Sequence, residues 1–476
     1  MTERTRGIHW FRNDLRLEDN TALADLTQRV EQWLPVFIFD PDLSTGEGEP
    51  LPKEIFLLEC LASLERQLGD RGIPLLVRSG DPEVVLPTLC REVGARWVSL
   101  NQDTTPFASQ RDKRVTAVLE REGVEVLAAR DRVVFGPDEV VTGAGKPYSV
   151  YSAYRKRWWR HWQDEPRLPS STSGLPAPIP GVANDPPEAR PWADQAGNSA
   201  PGHGGGISQA VTLLDSFLDK GVLNYRHHRD IPSREGTSRL SPFLRFGAVS
   251  PRQCFGRAFE AQADNPQRAD GVGKWLDELI WRDFYAGILE KNPRARRGNL
   301  KPEYDSMEWS ENEDFFQAWC QGRTGFPIVD AGMRQLLETG WMHNRLRMVV
   351  ASFLTKDLLI DWRKGERFFF DRLVDADPAS NSGGWQWAAS TGTDAQPYFR
   401  VFNPTAQGRR WDPEGEYIRR WVGELRGLAA PEIHEPSVGH PGAEYPRPVV
   451  DHAERRLIAL DRFKRAASSR KSDGIR

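Results

Sequence analysis

The sequence predicts an α/β domain followed by an all-helical one, and three observations carry that prediction. Through about residue 135, short apolar runs alternate with helical patterns. From about 165 to 206 the composition turns to Pro, Gly, Ser and Ala (LPSSTSGLPAPIPG, APGHGGG). Beyond that, apolar residues recur at helical spacing and strand-like alternation is missing. Alternating strand and helix implies right-handed βαβ units, hence a Rossmann-like parallel sheet with flanking helices. The expected division is an α/β domain over 1–135, a linker over 136–206 and an all-helical domain over 207–476.

The predicted strands are 7–11 (GIHWF), 34–39 (LPVFIF), 73–77 (IPLLV), 97–100 (WVSL) and 124–128 (VEVLA). Between them, helical spacing runs through Ile55, Phe56, Leu58, Leu61, Leu64 and Leu68, and again through Val84, Val85 and Leu89. Ligands of such a sheet sit at the carboxyl ends of its strands. No GxGxxG follows the first strand, and Gly145-Lys146 lacks the upstream Gly and the following Ser/Thr of a P-loop. Both absences argue against a standard dinucleotide or triphosphate site. The polar loop Arg12-Asn13-Asp14-Leu15-Arg16 reads equally well as a binding loop or as charges pairing with one another.

In the second half, 208–220, 273–289, 332–336 and 342–359 carry apolar residues at helical spacing. Ser250-Pro251 reads as an N-cap with Pro at the first helical position. The tail 454–476 reads as a charged helix fading into disorder.

A formal net charge of −3 excludes a polycation that grips nucleic acid by bulk charge, so any such contact must rest on local basic clusters. The four cysteines show no CxxC and no ligand-like spacing, which argues against a disulfide framework or a zinc site. No signal peptide and no run of about 18 apolar residues is visible, so a reduced, cytoplasmic protein without a membrane span is expected. The 17 tryptophans are unusual and suggest a use beyond packing.

The densest chemistry lies in 374–404, where Asp375, Asp377, Asn381, a Ser382-Gly383-Gly384 turn, Trp385 and Trp387 fall within thirteen residues. Aromatic walls, an amide and buried acids suit a pocket for a large flat redox-active ring. Glu278, Trp281, Arg282 and Tyr285 share one face of a helix by their spacing of three, four and seven. Read alone, they are a surface Glu–Arg pair beside two core aromatics. In His343-Asn344-Arg345-Leu346-Arg347-Met348, Asn344 and Met348 share a face, and the bland reading is core filler with solvated arginines. The loop Thr237-Ser238-Arg239-Leu240-Ser241, preceded by Tyr225 and Arg229, offers hydroxyls, N–H groups and a guanidinium to a pyrophosphate. A plain ST-turn or helix cap is the alternative. Arg226, Arg229, Arg234, Arg239, Arg245, Arg252 and Arg257 crowd the start of the helical part, followed by Arg345, Arg400, Arg409 and Arg410. Such residues usually mean a solvated surface. Interleaved with Trp281 and Trp387 they also fit a face that tracks phosphates around an aromatic pocket.

These motifs, with TGWMHNRLRMVVASFLTKDLLIDWR (339–363), resemble the photolyase/cryptochrome family, closest to bacterial class I photolyases that repair cyclobutane pyrimidine dimers. The resemblance covers nearly the whole chain and is most specific from about 225 to 407. It implies that FAD, active as FADH⁻, is held by Tyr225, Thr237–Ser241, Arg347, Asp375, Ala376, Asp377 and Asn381, with Asn381 at the flavin N5. It implies that Glu278, kept protonated in an apolar pocket, hydrogen-bonds the flipped-out dimer. Trp281, Trp387, Asn344 and Met348 would pack on the dimer, and Arg229, Arg282, Tyr285, Arg345, Arg400 and Gln407 would join them in binding DNA. Arg347 would pair beneath the flavin with Asp375, and Trp309, Trp362 and Trp385 would form the chain that photoreduces the flavin, with Trp309 at its exposed end.

The implied activity is light-driven electron transfer from FADH⁻ to a pyrimidine dimer in DNA, by a monomer. The alternative in the same family is a cryptochrome, a photoreceptor without repair. Asn344 and Met348 stand where (6-4) relatives have histidines, and Asn381 stands where plant cryptochromes have Asp. A second antenna chromophore is implied, with 101–114 and 147–159 more like the deazaflavin group than the methenyltetrahydrofolate group.

Overall fold

The computed structural model describes residues 5–43, 48–170, 172, 174–185, 204–437 and 444–473, with side chains as far as 468. Part of the expected linker (171, 173 and 186–203) and the end of the tail (474–476) lie outside the described residues. The chain forms two compact units: Met1–Pro147, Arg155–Lys220 and Ser238–Glu290 make the first, and Tyr148–Tyr154, Gly221–Thr237 and Lys291–Arg476 the second.

The first unit holds the parallel sheet. Its strands are β1 (Arg6–Phe11), β2 (Gln32–Phe39), β3 (Leu76–Ser79), β4 (Trp97–Asn101), β5 (Glu125–Ala129) and β6 (Ala177–Pro178). The order is β3-β2-β1-β4-β5, with β6 alongside the start of β2. Every one of these pairings is parallel. Inward side chains Ile8, Trp10, Leu34, Val36, Ile38, Val98 and Leu100 form the sheet's core. Pro35, which cannot donate to a ladder, falls between the β6-paired and β3-paired stretches of β2. The third strand begins three residues later than 73–77 predicts, because Pro74 has no N–H to give and the chain becomes regular only beyond it. The short β6 lies inside the stretch expected to be irregular. Two residues carry no periodicity, so only the open edge of β2 reveals them.

The same unit extends past the expected linker to Glu290. Arg252, from the helix Pro251–Asp264, joins Arg16, Asp19 and Asp131 in a buried ion network, with Arg252–Asp131 at 2.6 Å and Arg252–Asp19 at 3.0 Å. Phe243 packs edge-on against Phe56 at 5.0 Å. Ser250 caps the helix Pro251–Asp264 through the amide of Gln253, as its sequence predicts.

The second unit is helical around a core that includes Trp319, Met333, Leu346, Trp362, Trp385 and Tyr417. The segment 342–359, predicted as one helix, is not one. Asn344–Ser352 is α-helical, Phe353–Asp357 widens into a π turn, and Leu359 has a left-handed φ of 57°. Asp357 there meets His452 of the last helix, His452–Asp473.

Candidate flavin and lesion site

The predicted site residues fall on both units. In the second, 378–388 is where sequence and structure differ most. The expected Ser382-Gly383-Gly384 turn is the middle of an α-helix, Pro378–Ala388. Asp377 starts it by accepting from the amides of Ala379 (3.1 Å) and Ser380 (2.8 Å), and Pro378 suits the first helical position. The glycines cost helix propensity, and that loss is offset by anchors one turn apart. Ser382 Oγ and Gln386 Nε2 both donate to the carbonyl of Ala295, at 2.6 and 2.8 Å. Asn381 is therefore a helical residue rather than a turn former.

Its amide is oriented by Glu366. Nδ2 of Asn381 donates to the Glu366 backbone carbonyl (2.9 Å) and to its Oε1 (2.8 Å), and that same carboxylate pairs with Arg296 at 2.9 Å. Two acceptors fix which end of the amide carries N–H, so the carbonyl oxygen is the end left for another partner. Burial pushes the Glu366 carboxyl upward, against the nearby Arg296 charge.

Arg347 pairs with Asp375 at 2.9 Å, the pairing expected, and its Nε also donates to the carbonyl of Met342. Asp375 is buried, and its Oδ1 has no hydrogen-bond partner among the described residues. A buried carboxylate oxygen without a donor is costly, and a ligand N–H or hydroxyl would remove the cost. The residues present fit a flavin in this respect. Ala376 is buried beside this pair and Tyr225 is buried under Arg229, whose guanidinium lies 5.6 Å from the ring centroid.

On the helix Asn344–Ser352, Asn344 is exposed and Met348 half-buried. His343 caps that helix by accepting from the Arg345 amide at 3.1 Å. Desolvation holds its pKa down at about 4, so the imidazole stays neutral and Nδ1 keeps its acceptor lone pair. Trp362 and Trp385 are buried, whereas Trp309 is only partly so. The indole N–H of Trp362 donates to Asn299 at 2.8 Å. Gly365 is needed beside Trp385, because a Cβ there would come within 2.2 Å of the ring. Trp319, which sequence reasoning did not single out, packs edge-on to Trp385 at 5.9 Å. Trp387 and Gln407 are half-buried and Arg400 is exposed.

In the first unit, Glu278, Trp281, Arg282 and Tyr285 form a partly open stripe on the helix Ala269–Lys291, whose intervening residues are mostly buried. Trp281 and Tyr285 lie 5.4 Å apart on it. Glu278 pairs with Lys274 at 3.3 Å. Its side chain is 28% exposed. Arg282 donates to the backbone carbonyls of Arg132 and Leu244, which ties its guanidinium to the protein. Away from the stripe the helix is pinned by two acids. Asp277 accepts from Arg155 (2.5 Å) and Trp159 (3.3 Å), and Asp283 from Trp158 (3.1 Å) and the amides of Val134 and Phe135. Desolvation pushes Asp283 up to about 7. Ser238 accepts from Trp275 at 3.2 Å, Arg239 adopts a left-handed φ of 53°, Leu240 is buried, and Ser241 opens the helix Ser241–Phe246. Thr237, half-buried, ends the segment Gly221–Thr237 of the second unit.

Known proteins agree with this reading at the level of the whole chain. Residues 7–173 match the family model for DNA photolyase, and 275–465 match the FAD binding domain of DNA photolyase. A deoxyribodipyrimidine photo-lyase of Halobacterium salinarum is 41% identical over 96% of this chain and 99% of its own length. The one from Escherichia coli is 39% identical over 97% and 99%. Among solved structures, a class III photolyase from Agrobacterium tumefaciens superposes with a TM-score of 0.88 at 35% identity, covering 98% of this chain and 99% of that one. A Synechocystis cryptochrome gives 0.86 at 27% identity over 97% and 100%. With the matched sheet segment, the matched helical segment and relatives of this identity over nearly its full length, the chain belongs to the DNA photolyase family.

Proposed function

We propose that this chain repairs cyclobutane pyrimidine dimers in DNA, driven by light, with FAD as its bound cofactor. The observation that carries the reading is the buried Asp375, one oxygen on Arg347 and the other without a donor, in the segment matched to an FAD binding domain. Reduced FAD, when bound, supplies the photoexcited electron that opens the dimer and accepts it back, so there is no net redox change.

The protein's own part is to bind, orient and exclude water. Asp375 accepts from a flavin N–H or hydroxyl, and Arg347 holds that carboxylate in place. Asn381, its N–H groups held by Glu366, offers its carbonyl oxygen toward N5. Tyr225 and Thr237–Ser241 take the remainder of the cofactor, with Ala376 and Asp377 fixing the chain around it. Glu278 hydrogen-bonds the lesion carbonyl, while Trp281, Tyr285, Trp387, Asn344 and Met348 shape the apolar surround. Extruding the lesion costs a few kcal/mol, least where pairing is already damaged, and that difference gives selectivity. Arg229, Arg345, Arg400 and Gln407 contact the DNA backbone, and Arg282 acts by positioning its helix. Trp385, Trp362 and Trp309 carry oxidising equivalents outward, from two buried indoles to a partly exposed one. A deazaflavin-type antenna, bound through the 101–114 and 147–159 segments, and a cytoplasmic monomer complete the reading.

The test is illumination of flavin-loaded protein with dimer-containing DNA. Wild type restores the pyrimidines, and Glu278→Ala lowers the yield by roughly tenfold to a hundredfold. The structural similarity to a cryptochrome keeps a photoreceptor as the second reading, and lesions left unchanged by the wild type under light would favour it.

A further inference from the structure

We propose that Lys356, together with the last helix, His452–Asp473, braces the turn 397–400 and so sets how Arg400 meets DNA. This deepens the repair reading, on which it rests for the role of Arg400, by naming positioning residues outside the predicted site.

The turn is closed by its own backbone, the Arg400 N–H donating to the Pro397 carbonyl at 2.9 Å, and it leaves Phe399 and Arg400 exposed. A bond from residue i to i+3 fixes the shape of a turn but not its tilt against the protein. Two contacts fix the tilt. The Arg400 carbonyl accepts from Lys356 Nζ at 3.1 Å, and the Tyr398 ring stacks on Phe463 with centroids 6.4 Å apart and an interplanar angle of 10°. Both supports lead to one helix. Phe463 belongs to it and is fully buried. Lys356 lies in the π turn Phe353–Asp357, which His452 meets at the Asp357 carboxylate. Arg455 donates to the carbonyls of Asp357 and Leu358, at 2.6 and 3.1 Å.

The bland reading is that Lys356 is a core residue that happens to carry a charge. It fits the chemistry poorly. The residue is 1% exposed, and among the described residues its ammonium has one hydrogen-bond partner, the Arg400 carbonyl, and no carboxylate within ion-pair distance. Asp357, next in the chain, turns its carboxylate to His452. Desolvation draws the Lys356 pKa down to about 7, with the Asp357 charge opposing. Burying a cation on one carbonyl costs stability, and Met or Leu would fill the same space without that cost. A π turn is itself rare and recurs at functional sites. What the lysine does, and an apolar residue cannot, is hold the main chain of Arg400. The Arg400 side chain is exposed, with no acid at ion-pair distance among the described residues, so the guanidinium can reach a phosphate while its backbone stays held. A guanidinium fork meets a phosphate bidentately only when it is aimed, and a fixed backbone lowers the ordering cost of that aim.

The experiment is a double-mutant cycle, read as dark binding of the flavin-loaded full chain to duplex DNA carrying one dimer. Arg400→Ala should weaken binding about tenfold and Lys356→Met about fivefold. The double variant should bind no more weakly than Arg400→Ala alone, because the brace has nothing to aim once the guanidinium is gone. Lys356→Met should also hold or raise the melting temperature, since it removes a buried ammonium. A purely structural lysine would not give weaker binding without lower stability. Phe463→Leu, which loosens the other support, should weaken binding and be equally non-additive with Arg400→Ala. Losses that add in the double variant, or wild-type affinity in either single variant of the cycle, overturn the proposal. If the cycle couples as expected but the wild type repairs nothing under light, the brace stands and the repair reading falls.

Discussion

Arg347 and Asp375 illustrate what one side chain holds in place. The carboxylate is 3% exposed and has this guanidinium as its ion-pair partner, with its other oxygen lacking a donor. Arg347→Ala should cost about 3 kcal/mol in chemical denaturation, because it leaves a buried charge uncompensated rather than merely removing a pair. Asp375→Asn should be milder in stability, yet both variants should purify with less flavin, visible as loss of yellow colour. Flavin retained at the wild-type level in both variants would refute the assignment of Asp375 to the cofactor. The pairing itself was legible in the sequence through resemblance. Glu366 and Arg296, which orient Asn381, were not, since nothing local in GERFFF or NPRARR marks either residue as a partner of an amide fifteen positions or more away.

The helix Ala269–Lys291 shows the same limit one level up. Periodicity was enough to place Glu278, Trp281, Arg282 and Tyr285 on one stripe, but not to show that Asp277 and Asp283 fasten the helix to the indoles of Trp159 and Trp158. Asp283 has a consequence for pH. Its folded pKa, about 7, lies above the ordinary 3.8 because burial outweighs the three donors on Oδ2. The unfolded chain therefore releases this proton first, and stability from this group is full below about pH 4 and is lost as pH rises to about 7. Asp283→Asn keeps an acceptor for those donors and abolishes the titration. The difference in unfolding free energy, variant minus wild type, should rise between pH 4 and pH 7 and then level off. A flat difference over that range would mean the carboxylate is ionised throughout. Elements whose form depends on tertiary anchors were the ones misread. The Ser382-Gly383-Gly384 stretch looks like a turn by composition and is a helix because Asp377 caps it and Ala295 receives two of its side chains. The π turn at Phe353–Asp357 lies in a pattern that is uniformly helical in apolar spacing. Its departure is stabilised by buried partners, with Lys356 Nζ on the Arg400 carbonyl and Asp357 on His452.

For the molecule as a whole, charge is the property that sequence sums describe least well. A net charge of −3 is that of a protein with no general attraction for DNA. The distribution is what matters, and it is dominated by arginines already paired internally: Arg16, Arg252 and Arg111 to buried acids, Arg334 to Glu424, Arg345 to Asp230. Of the cations on the arginine-rich face, Arg400 and Arg410 have no acid within ion-pair distance among the described residues, while Arg229 and Arg345 share Asp230. Counterion release scales with phosphates neutralised, at about 0.9 per contact in duplex DNA. Two unshielded guanidiniums, with partial contributions from the shared pair, give an expected log–log salt slope of about −2 to −3 for undamaged duplex. Binding of that kind is modest in salt dependence, and most of the preference for a lesion must then come from the pocket and the ease of extruding the damaged base. The ratio of affinities for damaged and intact DNA should accordingly stay nearly constant across the salt series while both fall together. A slope steeper than about −6 would mean that many more arginines reach phosphate than the ion pairs leave available. Lesion preference would then have to be explained by the breadth of the charged face rather than by the few residues around Glu278.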